Sequence, residues 1–141
     1  MSKYKNYFNN KVVIITGGAG GLGQALTEKL LQCGAKLAVL DLNVDNLLPS
    51  KNLLPITVDL TNETALEQAI TQVIKHFNGI DILINNAGIT HMSCFKDIPA
   101  DLFQTIMTVN FTAAVNITRL CLPYLLSSMW VSLTSSRKNN E

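Results

Sequence analysis

The stretch ITGGAGGLGQAL, residues 15–26, places five of the eight glycines of the chain within seven positions. It overlaps VVIIT, residues 12–16, a run of β-branched apolar residues typical of a strand that is covered on both faces. A helical pattern follows over residues 22–33, and Gly34 is placed to end it. One side of this predicted helix carries Leu22, Ala25, Leu26, Leu30 and Cys33. A glycine-rich turn between a strand and a helix therefore decides the fold.

The same turn is the first candidate for a binding site. Glycines let the backbone bend tightly, approach a pyrophosphate, and pack the helix close to the strand. The helix N-terminus then offers free N–H groups and a partial positive charge to the phosphates. The glycines fit three motifs of nucleotide-binding turns: GxGxxG starting at Gly18, and both TGxxGxxG and TGxxxGxG starting at Thr16. They therefore leave the subtype of motif open. The alternative to a binding site is a tight turn that binds no ligand.

Strand and helix patterns alternate through the rest of the chain. Further strands are predicted at residues 36–41, 56–60 and 81–85, and WVSLTS, residues 130–135, is a candidate fifth strand. Thr61 or Asn62 can cap a helix that ends near Phe77, and a long helix, broken in two, is predicted from about Ala100 to Ser128. This order predicts an α/β fold: a single Rossmann-type domain over residues 1–141, with a doubly wound parallel sheet in three α/β/α layers.

Composition narrows the functional classes. Hydrophobic residues make up 48% and charged residues 15% of the chain, which indicates a globular protein. The net charge of +1, with both signs interspersed, indicates neither a nucleic-acid surface nor a membrane patch. Cys33, Cys94 and Cys121 are far apart and form no CxxC pair, so we expect buried reduced thiols in a cytoplasmic protein and no metal site.

Asp41 bears on the choice of cofactor. It ends the second predicted strand, 18 residues after Gly23, where a carboxylate can accept hydrogen bonds from both hydroxyls of an adenosine ribose. A 2′-phosphate would meet a like charge there, and Gly18, Ala19 and Gly20 include no basic residue to bind it. The position therefore predicts NAD in preference to NADP, with a turn-capping role for Asp41 as the alternative.

NNAG, residues 85–88, follows the fourth predicted strand. Together with TGGAGGLG, Asp41 and VDLT at residues 58–61, it closely resembles the short-chain dehydrogenase/reductase family over about residues 9–126. The resemblance implies an NAD(P)-dependent oxidoreductase that transfers hydride to or from an alcohol or carbonyl substrate, commonly as a homo-oligomer. It implies a set of cofactor-binding residues, namely Thr16, Gly17, Gly21, Leu22, Gly23, Asp41, Asp59, Leu60, Asn86, Ala87 and Gly88.

The resemblance also implies roles for single residues. Asp59 and Leu60 would meet the adenine, and Asn86 to Gly88 would steady the sheet beside the cofactor. Asn110 matches an asparagine whose local helix opening holds a catalytic water. Ser136 would match the serine that holds the substrate oxygen, provided that residues 130–135 form a strand.

The acid/base pair of the family, Tyr-x-x-x-Lys, occurs in these 141 residues only at Tyr7 and Lys11. That pair precedes the first strand, about 17 Å along the sheet from the cofactor edge, so we expect it to be a coincidence. With Ser136 as the serine, the tyrosine would be due at position 149. We therefore expect a sheet incomplete at its C-terminal side, a catalytically incomplete chain, and a doubtful tail over residues 129–141. A non-catalytic nucleotide-binding or interaction protein and a non-functional truncated product stay open.

Overall fold

The computed structural model describes the backbone of residues 5–137 and the side chains of residues 7–128. Four parallel strands form one sheet: β1 (Val12–Thr16), β2 (Lys36–Asp41), β3 (Leu53–Thr57) and β4 (Ile82–Ile84). Their spatial order is β3-β2-β1-β4. The helices are α1 (Lys5–Phe8), α2 (Gly21–Gln32), α3 (Glu63–Phe77), α4 (Ala100–Met107) and α5 (Ala113–Arg137).

Alternate residues of the strands face two separate cores. Ile14 and Leu40 pack with Leu66 of α3 and Ile117 of α5 on one face of the sheet. On the other face, a second cluster joins strand residues to the α2 side chain of Leu30. Its buried strand members are Val13, Ile15, Leu37, Val39 and Leu53. Helices thus cover both faces of a parallel sheet, which confirms the three-layer, doubly wound Rossmann-type prediction.

The predicted position of β3 is wrong by three residues. Residues 56–60 were expected, whereas β3 is Leu53–Thr57 and contains Pro55 opposite Val39 of β2. A proline cannot donate a ladder hydrogen bond and is unfavourable inside a central strand. β3 lies at the edge of the sheet, where the missing N–H costs no ladder bond. Beyond Thr57, Val58 still donates to the Asp41 carbonyl oxygen, at 2.8 Å.

The long helix is broken, as predicted, but it continues further than expected. A π-helical turn, Thr108–Thr112, separates α4 from α5. Residues 130–135 are helical in α5, so the prediction of a fifth strand is wrong. The preceding Ser127, Ser128 and Met129 include no glycine or other strong stop signal. Of the doubtful tail, residues 138–141 lie outside the described residues.

Two further findings concern composition. Within residues 5–137, no helix is both long and apolar enough to cross a membrane. Cys33 and Cys121 are buried, but Cys94 is exposed, so the expectation of three buried thiols is wrong for Cys94. Burial raises the pKa of Cys121 to about 12, and this thiol therefore stays protonated at neutral pH.

Candidate functional site

The site begins where the chain order of the sheet reverses. β1 lies between β2 and β4, and the connections from β1 and β3 place α2 and α3 on opposite faces. Helices that diverge at such a point leave a crevice outside the carboxyl ends of the strands, where open α/β sheets bind ligands. The glycine turn after β1, Asp41 at the end of β2 and the NNAG segment after β4 all lie at this edge.

Two glycines of the turn are required by close approach. Gly17 has a φ of +63°, and a β-carbon there would lie 2.9 Å from the Cα of Ala87. A β-carbon on Gly23 would lie 1.9 Å from the Gly17 carbonyl oxygen and 2.6 Å from Asn86 Nδ2. The first turn of α2 therefore packs directly on the end of β1, which a larger residue would prevent.

Asn86 fixes the first part of the turn. Its Nδ2 donates to the carbonyl oxygens of Thr16, at 3.0 Å, and Gly17, at 2.9 Å. The Thr16 hydroxyl also accepts hydrogen bonds at 3.0 Å from the backbone N–H groups of Asn86 and Ala87. These hydrogen bonds tie the end of β1 to the segment after β4.

Two side chains that the sequence analysis did not select fix the rest of the turn. Thr27 of α2 is buried, and its hydroxyl donates to the Gly18 carbonyl oxygen at 3.0 Å. Asn46, in the loop after β2, donates from Nδ2 to the Ala19 carbonyl oxygen at 2.8 Å. Neither residue belongs to a glycine motif. The only sequence signal was the polar Thr27 close to the predicted apolar side of α2.

The start of α2 is left open to a ligand. Gly20 caps the helix in an extended conformation without a side-chain hydrogen bond, and Gly21 follows with a φ of +52°. The first N–H groups of a helix have no intrahelical partners, and they carry the positive end of the helix dipole. Leu22, which the sequence places on the same side of α2 as Leu30, is 72% exposed, whereas Leu30 is 6% exposed. An exposed Leu22 at this edge is available to a ligand.

Asp41 is held by the backbone on both of its oxygens. Oδ2 accepts from the Ala19 N–H at 3.0 Å, and Oδ1 accepts from the Leu42 N–H at 2.8 Å. An ionised carboxylate has about four acceptor positions, so about two remain. Asp41 therefore has the capacity to accept both hydroxyls of a ribose.

A cleft of about 160 Å³ opens beside Asp41. Its lining includes six of the predicted site residues, namely Gly17, Asp41, Asp59, Leu60, Ala87 and Gly88. Hydrogen bonds from the hydroxyl and the backbone N–H of Thr61 lower the pKa of Asp59. A negatively charged acceptor and apolar walls suit a flat ring that carries an amino group.

Asn110 lies within the π-helical turn, on the far side of the NNAG segment. Its Oδ1 accepts from the Ile89 N–H and its Nδ2 donates to the Ile89 carbonyl oxygen, both at 2.8 Å. A π-turn widens the helix and disturbs its regular hydrogen bonding. The local opening that the resemblance implied at Asn110 is thus observed, whereas its role in holding a water stays a prediction.

The remaining catalytic candidates do not join the site. Tyr7 and Lys11 precede β1, at the opposite end of the strand from Thr16. Lys11 forms an ion pair there, with Nζ 3.6 Å from an Asp81 oxygen. The backbone of Ser136 is helical rather than extended, and its side chain lies outside the described residues.

Comparisons with known proteins agree with this geometry. The family model described as short chain dehydrogenase matches residues 11–135. The 3-oxoacyl-[acyl-carrier-protein] reductase of Thermotoga maritima is 30% identical over 82% of this chain and 50% of its own.

Two solved structures are also similar, each at 27% identity. The aldohexose dehydrogenase of Thermoplasma acidophilum matches with a TM-score of 0.79 over 86% of this chain and 47% of its own. A short chain dehydrogenase of Leptospira borgpetersenii with bound NAD⁺ matches with a TM-score of 0.78 over 86% and 48%. The chain therefore spans about half the length of these relatives.

Proposed function

The chain belongs to the short-chain dehydrogenase family, and from this premise we propose that it is the NAD-binding part of an alcohol/carbonyl oxidoreductase. The observation that carries the proposal is the convergence of the glycine turn, Asp41 and Asp59 at one edge of the sheet. The Leptospira relative, which binds NAD⁺ according to its description, supports the choice of cofactor class.

The residues present fit a dinucleotide along its whole adenosine diphosphate portion. Gly21, Leu22 and Gly23, at the start of α2, would receive the pyrophosphate on their N–H groups. Asp41 would accept the ribose hydroxyls, and Asp59 would accept from the adenine amino group. Leu60 supplies an apolar contact for the ring.

NAD is the proposed cofactor in preference to NADP. Asp41 is an acceptor with no donor to offer, and its neighbour Ala19 already donates its N–H to the carboxylate. A 2′-phosphate would therefore meet negative charge without a compensating cation, because Gly18, Ala19 and Gly20 carry none. A ribose hydroxyl would instead donate a charge-assisted hydrogen bond.

The bound nicotinamide would supply the hydride acceptor or donor. Beside it, Thr16 and Asn86 would hold the sheet edge in place, and Asn110 would position a water at the π-helical turn. Proton exchange with the substrate needs a further group, because neither an amide nor a hydroxyl titrates near neutral pH. We propose that the 141 residues bind cofactor without turnover. By analogy with the family, we also propose an alcohol or carbonyl substrate, a homo-oligomer and a cytoplasmic location.

Titration calorimetry with NADH and NADPH tests this proposal. The chain should bind NADH more tightly, and Asp41→Ala should weaken NADH binding about tenfold while narrowing the preference. Asp45→Ala, in the exposed loop that follows β2, is the matched control and should change neither affinity. Equal or tighter binding of NADPH by the unmodified chain would contradict the assignment of Asp41.

A second candidate is a nucleotide-binding or interaction protein that does no chemistry. Within these 141 residues, the sole Tyr-x-x-x-Lys lies at Tyr7 and Lys11, at the opposite end of β1 from the glycine turn. Tight NADH binding without turnover by the chain alone is expected of both candidates. Turnover of an alcohol or carbonyl substrate by the chain alone would exclude this one and support the oxidoreductase.

A further inference from the structure

Asn46 lies on a short turn that is fastened to the protein core. Val44 and Leu47, on either side of it, both pack against the core cluster on the α2 face of the sheet. The Leu47 N–H donates to the Val44 carbonyl oxygen at 2.9 Å, which closes the turn. Asn46 itself is exposed, so its place is set by its neighbours and not by its own burial.

From this anchored turn, the Asn46 amide reaches the glycine turn. Its Nδ2 donates to the Ala19 carbonyl oxygen at 2.8 Å, while the Ala19 N–H donates to Asp41 Oδ2 at 3.0 Å. The backbone N–H and carbonyl oxygen of Ala19 are therefore both hydrogen-bonded to side chains, Asp41 at the end of β2 and Asn46 in the loop that follows. Ala19 is 8% exposed and packs in the same core cluster.

We propose that Asn46 is a positioning residue that sets the selectivity for NAD over NADP by holding Ala19 against Asp41. This inference rests on the proposed function. A 2′-phosphate would need backbone donors, and the Ala19 N–H, 3.0 Å from Asp41 Oδ2, is the donor that the glycine turn places at the carboxylate. As long as Asn46 holds the Ala19 carbonyl oxygen, that N–H stays turned towards Asp41 and is not available to a phosphate.

The same bond prepares the site for NAD. A carboxylate and a glycine turn that are fixed before binding lose less conformational freedom when the cofactor arrives. Without the Asn46 bond, the turn around Ala19 would be held by Thr27 at Gly18 and by Asp41 alone. We expect NADH binding to weaken about fivefold, the scale of one lost hydrogen bond, and NADPH binding to stay nearly unchanged.

The test measures affinities for NADH and NADPH by calorimetry in two variants, Asn46→Ala and Asn46→Leu. The leucine has nearly the shape of asparagine but no donor. Asn43→Ala is the matched control, because Asn43 lies in the same loop and its Oδ1 accepts from the Asp45 N–H. Thermal melts without cofactor check that each variant folds.

The ratio of the NADPH and NADH dissociation constants decides the result, because a merely structural effect would weaken both cofactors alike. The proposal expects this ratio to fall about fivefold in both Asn46 variants and to stay unchanged in Asn43→Ala. An unchanged ratio in Asn46→Ala and Asn46→Leu would overturn the inference and leave the proposed function standing, and so would loss of a cooperative melt in both. An unmodified chain that binds neither cofactor would overturn the proposed function, and the inference with it.

Discussion

Asn86 donates two hydrogen bonds to Thr16, one from its backbone and one from its side chain. The Asn86 N–H donates to the Thr16 hydroxyl oxygen, and Asn86 Nδ2 donates to the Thr16 carbonyl oxygen, both at 3.0 Å. Because the Thr16 side chain is 2% exposed, water cannot readily replace it as an acceptor. The pair therefore closes the gap between β1 and β4 beyond their last ladder contact, Ile15 with Ile84.

Replacing this hydroxyl tests the pair. Thr16→Val keeps the shape of the side chain but leaves the N–H groups of Asn86 and Ala87 without their acceptor. We expect the free energy of unfolding to fall by about 1–3 kcal/mol, measured by urea denaturation. The control, Thr71→Val, removes an exposed helix hydroxyl and should change the free energy of unfolding by about 0.5 kcal/mol or less. Equal effects of the two substitutions would contradict the importance of the pair.

Substitution by alanine should destabilise the protein at Gly23 but not at Gly20. At Gly23 the new β-carbon would overlap the Gly17 carbonyl oxygen, whereas at Gly20 it would meet nothing within 4 Å. Gly23→Ala should cost about 1–3 kcal/mol of stability and abolish NADH binding, because α2 must move away from β1. Gly20→Ala should melt like the unmodified chain. A Gly23→Ala variant that kept its affinity for NADH would contradict the claim that the close packing of α2 on β1 is needed for binding.

The sequence predicted the parts of this site that lie on regular elements. Asp41 and the glycines were found because they end or follow strands with clear apolar runs. Thr27 and Asn46 were missed because their importance depends on which carbonyl groups the folded turn brings near them. Sequence spacing does not contain that information.

The errors in the predicted secondary structure arise because contacts between distant parts of the chain are not visible in the sequence. The third strand was predicted at residues 56–60, whereas β3 includes Pro55, which an edge strand accommodates. Periodicity groups Leu22 with Leu30 on one side of α2, but Leu22 is exposed, and the first turn of α2 is instead buried at Gly23. WVSLTS has the composition of a strand, yet no stop signal precedes it, and the helical backbone of α5 continues through it.

Asp81 should make stability depend on pH. Burial alone would raise the pKa of Asp81, but hydrogen bonds from Ser128 and the Val12 N–H, together with the charge of Lys11, outweigh it and lower that pKa. A depressed pKa stabilises the fold above the unfolded value of about 3.9, and this contribution is lost as the pH falls through the folded value. Asp81→Asn should therefore be less stable than the unmodified chain at pH 7, by about 1 kcal/mol, and the difference should shrink in acid.

Urea denaturation at neutral pH and again below the unfolded pKa of aspartate measures this difference. Asp45→Asn, at an exposed loop position, is the control and should show no change at either pH. A stability gap for Asp81→Asn that persisted unchanged in acid would mean that the carboxylate charge contributes nothing.

A stripe of exposed apolar residues should make the chain associate in solution. Phe103, Met107, Phe111 and Val115 recur at every fourth position from α4 into α5, and each is at least 41% exposed. Sedimentation velocity should show concentration-dependent self-association at micromolar concentrations. Phe103→Ser with Phe111→Ser should reduce it, whereas Leu48→Ser, at an exposed position outside the stripe, should not. A monomer with a sharp melt would contradict this expectation.

The last prediction concerns chemistry. The purified 141-residue chain should show no NAD-linked alcohol oxidation or carbonyl reduction above background. Its sole Tyr-x-x-x-Lys precedes β1, about 17 Å along the strand from the cofactor edge, and Lys11 is paired there with Asp81. A spectroscopic assay of nicotinamide reduction, with a full-length relative as the positive control, measures this. Tyr7→Phe should change nothing, and turnover that Tyr7→Phe abolished would show that the tyrosine reaches the nicotinamide.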